Sequence, residues 1–370
     1  MARTTDTIDH SHMTAALGLA RRALGTTWPN PAVGCVIVQD GVVVGRAHTR
    51  PGGRPHAETE ALRQAGSRAA GATAYVTLEP CDHHGVTPPC SLALIEAGIG
   101  RVVVALTDPD PRVSGAGIAR LRAAGLAVDV GPGEAEARTI NAGFLKRIEA
   151  GRPLFTWKTA TTLDGRIATA AGESRWITGA PARAHAHRLR ASHDAILIGS
   201  GTAMTDRPLL TCRLPGLEGR KPVRIVGDGR LRLPLDSPLV ATAHDHPTWV
   251  LTAADADGDK VAALENKGVV VLRVSRRSDG LDLAEAAHLL GARGLTRVLV
   301  EGGAQLAAGL LRARLVDAIA WFRAASVIGG DGTSAAAAFG IARMADIPQF
   351  ILADWRRLGA DVLETYLPTA

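Results

Sequence analysis

Thr77-Leu78-Glu79-Pro80-Cys81-Asp82-His83-His84-Gly85-Val86-Thr87-Pro88-Pro89-Cys90 is the stretch on which the reading turns, taken together with His56-Ala57-Glu58 upstream. One histidine, two cysteines and a carboxylate two residues after the histidine are the parts of a hydrolytic zinc site. Catalytic zinc takes three protein ligands and leaves its fourth position to water. It lowers the pKa of water, so that a hydroxide-like nucleophile exists at neutral pH. His56, Cys81 and Cys90 are the candidate ligands. Glu58 is the candidate proton carrier, reaching the water from a helix start without touching the metal. The alternative is a closed structural site with His83 or His84 as fourth ligand, which would leave Glu58 without a purpose.

Working outward, hydrophobic periodicity predicts a helix over Thr14–Leu24 and a hairpin of Val33–Val38 and Val42–Val44 around Asp40-Gly41. A helix from His56 to Ala65, a strand Ala74–Leu78 and a helix Cys90–Ala97 follow. Pro88-Pro89 suits that last helix start, where a missing N–H costs nothing. Strand Arg101–Leu106, helix Gly117–Ala124 and strand Ala127–Val130 complete a three-layer α/β/α pattern. His56 and Cys90 each open a helix, whose partial positive charge favours thiolate over thiol. Glu149 to Pro153 reads as a boundary, dividing the chain into domains 1–149 and 150–370. Beyond it lie strands Leu154–Thr159, Ala195–Ile198, Val223–Val226, Thr248–Leu251, Val269–Val274 and Arg297–Val300, with helices Ala182–Arg190, Leu283–Ala292 and Gln305–Arg312.

At 370 residues, 46% hydrophobic and 21% charged, the chain has the length and composition of a two-domain globular protein. No apolar run reaches the ~18 residues of a membrane helix, and Met1 to Met13 is too polar for a secretory signal. Four cysteines in this length do not make a disulfide framework. Cys81 and Cys90 read as metal thiolates, and Cys35 and Cys212 as free residues in a reducing cytoplasm. The net charge of +6 is scattered and forms no basic block, which favours small acidic ligands over nucleic acid.

The His-x-Glu with a later Pro-Cys pair is the arrangement of zinc deaminases acting on nucleobases. Most of those have two residues between their cysteines; here there are eight. The run from Thr77 to Cys90 closely resembles the bacterial bifunctional riboflavin-biosynthesis deaminase/reductase family. Asn30-Pro31 with Val33–Val38, Asn141–Arg147, Lys158, Leu163–Arg166, Gly172–Ser174, Trp176–Thr178 and Glu301–Gly303 extend the resemblance over both halves. It implies a cytidine-deaminase-like first domain and a dihydrofolate-reductase-like second. It also implies hydrolytic deamination of a diaminopyrimidinone bearing a phosphoribosylamino group, then NADPH-dependent reduction of the ribosyl group to ribityl. Zn2+ and NADPH are the implied cofactors. The expected partners are that small molecule and further copies of the chain, with no nucleic acid and no membrane.

Residue by residue, the resemblance assigns pyrimidine binding to Asn30 and His83. Cofactor contacts fall on Ala160, Trp176, Thr202, Asp206, Gly303, Ala304, Gln305, Leu306, Ala307, Ala308 and Gly309. Substrate contacts in the second half fall on Lys158, Ser174, Arg190, Leu210, Arg213 and Glu301, with Arg190 and Arg213 as forked phosphate holders. The blander readings are a turn residue for Asn30, a structural histidine for His48 and surface charge for each arginine. Three positions depart from the family pattern: Asp82 for serine, Val86 for a basic residue, and Arg207 for an aspartate. The competing functions are a deaminase of RNA or a free base with an unrelated tail, and a zinc-stabilised binding module without catalysis.

Overall fold

The computed structural model describes residues 2–85, 88–110, 114–278 and 280–369. The chain forms two compact units, Met1–Gly151 and Arg152–Ala370.

The first unit runs α1 (Ala2–Ala23), β1 (Gly34–Gln39), β2 (Val42–His48), α2 (Ala57–Ala65), β3 (Thr73–Val76), α3 (Cys90–Glu96), β4 (Arg101–Val104), α4 (Ala116–Ala123), β5 (Ala127–Val130) and α5 (Glu134–Ala150). Asp40 (φ 50°) and Gly41 (φ 75°) are both left-handed, the turn that matches the twist of a two-residue hairpin. The sheet order is β2-β1-β3-β4-β5, antiparallel through β3 and parallel from β3 to β5. Successive strand residues face opposite sides. A β-carbon on Gly34 would stand 1.9 Å from the Ala16 carbonyl oxygen of α1, and one on Gly45 2.2 Å from that of Ala61 in α2. Gly34 and Gly45 lie on opposite faces by register, since Gly45 pairs with Ile37. Helices therefore close on both faces, and all of Gly34 to Val38 is buried.

The first helix starts well before Thr14, at Ala2. Buried Asp9 explains the extension: it accepts from Arg101 (2.7 and 2.9 Å) and from the Tyr75 hydroxyl (2.8 Å). A polar N-terminal stretch is thus anchored by one ion pair with β4. Periodicity also predicts no element over α5, yet Ala137, Ile140 and Phe144 are buried at helical spacing.

The second unit contains β6 (Leu154–Thr161), β7 (Arg166–Ala168), α6 (Ala180–Ala191), β8 (Ala195–Gly199), α7 (Ser200–Asp206), β9 (Val223–Gly227), α8 (Pro238–Ala241), β10 (Thr248–Ala253) and α9 (Gly258–Glu265). It continues with β11 (Val270–Val274), β12 (Arg276–Arg277), β13 (Gly280–Leu281), α10 (Leu283–Ala292), β14 (Arg297–Val300), α11 (Ala304–Arg312), β15 (Ala318–Arg323), β16 (Thr333–Ser334), β17 (Phe350–Leu358) and β18 (Asp361–Pro368). Nine strands form one sheet, β11-β10-β9-β8-β14-β6-β15-β18-β17. It is parallel from β11 to β15, and a β17–β18 hairpin adds antiparallel to β15. Residues after Arg312 carry strands that periodicity does not predict. The side chains of β17 are exposed on both faces apart from its half-buried ends, so no alternating pattern marks it. In open α/β sheets ligands bind outside the carboxyl ends of the strands, and both candidate sites lie there.

Candidate active sites

His56 is the N-cap of α2 and Cys90 the first residue of α3, while Cys81 lies in the loop after β3. His56 Nδ1 is 3.2 Å from Cys90 Sγ and 3.6 Å from Cys81 Sγ, and the three donor atoms lie within 4.8 Å of one another. Ligands of a tetrahedral zinc ion, at about 2.0 Å for nitrogen and 2.3 Å for sulfur, stand roughly 3.5 Å apart. The trio therefore fits zinc in both chemistry and spacing. Among the described residues no fourth histidine, cysteine or carboxylate joins it, which leaves the closed-site alternative without a ligand. His84 is exposed. The hydrogen bond from the Cys90 thiol, with help from His56, brings Cys81 down to about 4. The same bond and burial push the Cys90 thiol up. Glu58 is 3% exposed, and burial raises its carboxyl above the usual range. The shift is toward the protonated form, the direction a proton carrier needs.

The loop that presents Cys81 is held by a residue the motif contains but sequence reasoning gave no role. Buried Glu79 accepts the backbone N–H groups of Asp108 (3.1 Å), Gly115 (3.0 Å) and Ile118 (3.1 Å). Asn141 of α5 makes the matching clamp on the other side, accepting from Ala32 N (3.0 Å) and donating to Ala32 O (3.2 Å). This fixes the segment bearing Asn30, whose amide lies against Gly53. Among the described residues His83 Nδ1 is buried without a hydrogen-bond partner. His48 is within hydrogen-bond distance of the Thr49 carbonyl (3.0 Å), its bland reading. Asp82 accepts from Ser91 (2.5 Å) and from Arg120. Val86 and Thr87 lie outside the described residues. Arg54 Nη2 lies against neighbouring Gly85.

The second site is a cavity of about 1090 Å³ at the carboxyl ends of β6, β8 and β14. Of the second-half substrate candidates it gathers Lys158, Ser174, Arg190, Leu210, Arg213 and Glu301. Of the cofactor candidates it gathers Ala160, Trp176, Thr202, Asp206, Gly303, Ala304, Gln305 and Leu306. Gly303 is the N-cap of α11, so the turn offers unpaired backbone N–H groups. Ala307 and Ala308 are core residues, 0% and 1% exposed, and Gly309 lines a neighbouring cavity. Arg190 lines the cavity and is braced there by Glu301. Its fork is taken by Glu301, Nε to Oε1 at 2.6 Å and Nη2 to Oε2 at 2.9 Å, and Nη1 donates to the Thr211 carbonyl (2.9 Å). Burial alone would raise Glu301, but Arg190 outweighs it and holds the carboxyl at about 2. Burial lowers the Lys158 ammonium. Arg213 remains exposed beside His187. Arg183, which no motif pointed to, stacks 4.5 Å from the ring of exposed Trp176. Arg207 pairs with Asp236 at 3.2 Å.

Comparisons with known proteins agree over both units. Residues 6–106 match the family of the cytidine and deoxycytidylate deaminase zinc-binding region, and residues 153–363 match the RibD C-terminal domain. The riboflavin biosynthesis protein RibD of Escherichia coli is 41% identical over 96% of this chain and 98% of its own length. That of Aquifex aeolicus is 44% identical over 87% of this chain and 88% of its own. The solved structure of Acinetobacter baumannii RibD superposes with a TM-score of 0.88 at 36% identity, covering 99% of this chain and 100% of that one. That of the Thermotoga maritima diaminohydroxyphosphoribosylaminopyrimidine deaminase/5-amino-6-(5-phosphoribosylamino)uracil reductase gives 0.86 at 32% identity, with coverage of 99% and 100%. With its deaminase-like α/β/α unit and its dihydrofolate-reductase-like α/β unit, the chain belongs to the RibD family of riboflavin biosynthesis, bifunctional enzymes that join a zinc-dependent deaminase to an NADPH-dependent reductase.

Proposed function

We propose that His56, Cys81 and Cys90 hold the zinc ion of the deaminase and that Glu58 carries its protons. The observation that carries this is the donor trio beside the buried Glu58 carboxyl. Zinc, when bound, lowers the pKa of water and so supplies the nucleophile. Glu58 takes the proton of the attacking water and returns it to the departing 2-amino group, which leaves as ammonia. Asn30 offers a donor and an acceptor to the edge of the pyrimidine ring, and His83 Nδ1, without a partner among the described residues, supports a second contact.

In the reductase, NADPH when bound supplies the hydride that turns the ribosyl carbon on nitrogen into a ribityl carbon. Lys158 is held within the field of Glu301 and Arg190 and positions the sugar hydroxyls. Arg213 and Arg190, the latter braced by Glu301, take the phosphate. Trp176 and Arg183 form a flat wall over the cavity.

The division at 149/150 assigns one activity to each part, supported by compact units that meet between Gly151 and Arg152. The protein works as a homo-oligomer: β17 is an edge strand with Ile351, Leu352 and Trp355 more than half exposed, and bare apolar edges invite pairing. Four free cysteines suit the cytoplasm. Among the described residues no helix is long and apolar enough to cross a membrane. The scattered charge calls for no nucleic-acid partner. Ammonia release from the diaminopyrimidine, zinc analysis and NADPH oxidation on the purified chain test the whole reading. If Glu301→Ala leaves reduction kinetics unchanged, the second-site assignment fails there.

A further inference from the structure

Eight residues separate Cys81 from Cys90, and a gap of that length poses a problem that a tight turn does not. A two-residue turn sets the separation of its flanking side chains by itself. A longer loop leaves its ends free to part, and the entropy of bringing them together grows with length. Contacts across the base of the loop must therefore hold the two sulfurs at the spacing zinc needs.

Two kinds of contact cross that base. The Cys90 N–H points to Cys81 Sγ (3.4 Å), and the Ser91 N–H donates to the Cys81 carbonyl (3.2 Å). These are backbone donors, which almost any residue could supply. The other contact is made by side chains: the Ser91 hydroxyl donates to Asp82 Oδ1 (2.5 Å). Asp82 directly follows one candidate ligand and Ser91 directly follows the other. Ser91 is buried and the Asp82 side chain nearly so, and a buried polar group is costly to leave unpaired.

The same carboxylate oxygen accepts from Arg120 of α4. That helix is a fixed platform. A β-carbon on its Gly117 would stand 2.0 Å from the Pro80 carbonyl oxygen, so α4 lies directly against the residue before Cys81. Glu79 accepts the Gly115 and Ile118 N–H groups where the helix begins. Arg120 thus reaches Asp82 from a helix already locked to residues 79 and 80, and its charge offsets that of a carboxylate beside two sulfurs. Asp82, Ser91 and Arg120 all stand outside the donor trio.

We propose that Asp82 is a positioning residue. With Ser91 and Arg120 it forms a clasp across the base of the inter-cysteine loop, which presets Cys81 and Cys90 for zinc and governs how tightly the metal is kept. The departure from the family's serine at Asp82 thereby acquires a role. The inference rests on the reading of His56, Cys81 and Cys90 as the zinc ligands.

The test is the zinc affinity of the full chain, measured by competition with a chromophoric chelator. Asp82→Ala and Ser91→Ala should each weaken zinc binding by about ten- to hundredfold, the usual effect of losing a group that orients metal ligands. The double variant should lose little more than either, because two members of one contact do not add. Asp82→Asn keeps an acceptor for Ser91 and should retain part of the affinity. Ser91→Ala removes a single oxygen and keeps the test open should Asp82→Ala fail to fold. Saturated with zinc, each variant should regain deamination with the wild-type KM, since the clasp acts on the ligands and not on the substrate. Unchanged zinc affinity in both single variants, losses that multiply in the double variant, or a KM still raised at saturating zinc would overturn the proposal. Failure of the wild-type chain to bind zinc would instead overturn the reading of the trio.

Discussion

Arg190 grips both oxygens of Glu301, and the pair is nearly enclosed, with side chains 15% and 9% exposed. Breaking a buried pair from one side leaves an uncompensated charge and costs about 3–5 kcal/mol. Arg190→Gln should destabilise the second unit by an amount of that order and abolish reduction while sparing deamination. The pH dependence has a definite sign. Glu301 is held at about 2, below the ordinary 4.5, so the pair's stabilisation is complete above about pH 4.5 and is lost as pH falls toward 2. Denaturant titrations of wild type and variant across that window should converge at the acid end.

Replacing Cys81 or Cys90 with serine should remove the zinc and the deaminase activity and leave reduction of supplied aminouracil largely intact. Metal analysis and the two separate assays check this. Loss of both activities in a folded variant would count against the division of labour.

Glu58→Gln keeps the shape of a buried side chain and removes its ability to titrate. Zinc content should be unchanged and deamination should fall by about 10²–10⁴-fold, the usual worth of a general acid–base group. A variant that loses its metal would make Glu58 a ligand.

Glu79→Ala leaves the three backbone N–H groups of Asp108, Gly115 and Ile118 without their acceptor. An orphaned buried donor costs about 1–3 kcal/mol. The first unit should lose stability by at least that much, and zinc affinity should fall although Glu79 is not one of the proposed ligands. Zinc titration against a chelator, compared with thermal unfolding, separates the two effects.

Val86→Lys places a cation in the loop between the two cysteines. A charge-assisted hydrogen bond to the substrate phosphate should lower the deaminase KM by about ten- to hundredfold and leave the reductase KM alone. An unchanged deaminase KM would show that another basic group, such as Arg54 beside Gly85, already holds the phosphate.

The motif of His56, Glu58, Cys81 and Cys90 and the alternation of strands and helices were legible in the sequence alone, and the fold brings the three donor atoms together. Cysteine and histidine at helix starts are local features, and hydrophobic period reports local burial. The junction Asp40-Gly41 is readable for the same reason, since the turn it makes depends on two residues. The tertiary structure alone decided what depends on partners far apart in the chain. That Arg190 is braced by Glu301, 111 residues away, has no mark in the sequence. Glu79 reads as part of a motif until three distant N–H groups converge on it. Asp9 looks like a solvated charge until Arg101 and Tyr75 meet it. A charged side chain's role is set by what neutralises it, and spacing along the chain carries no record of that partner.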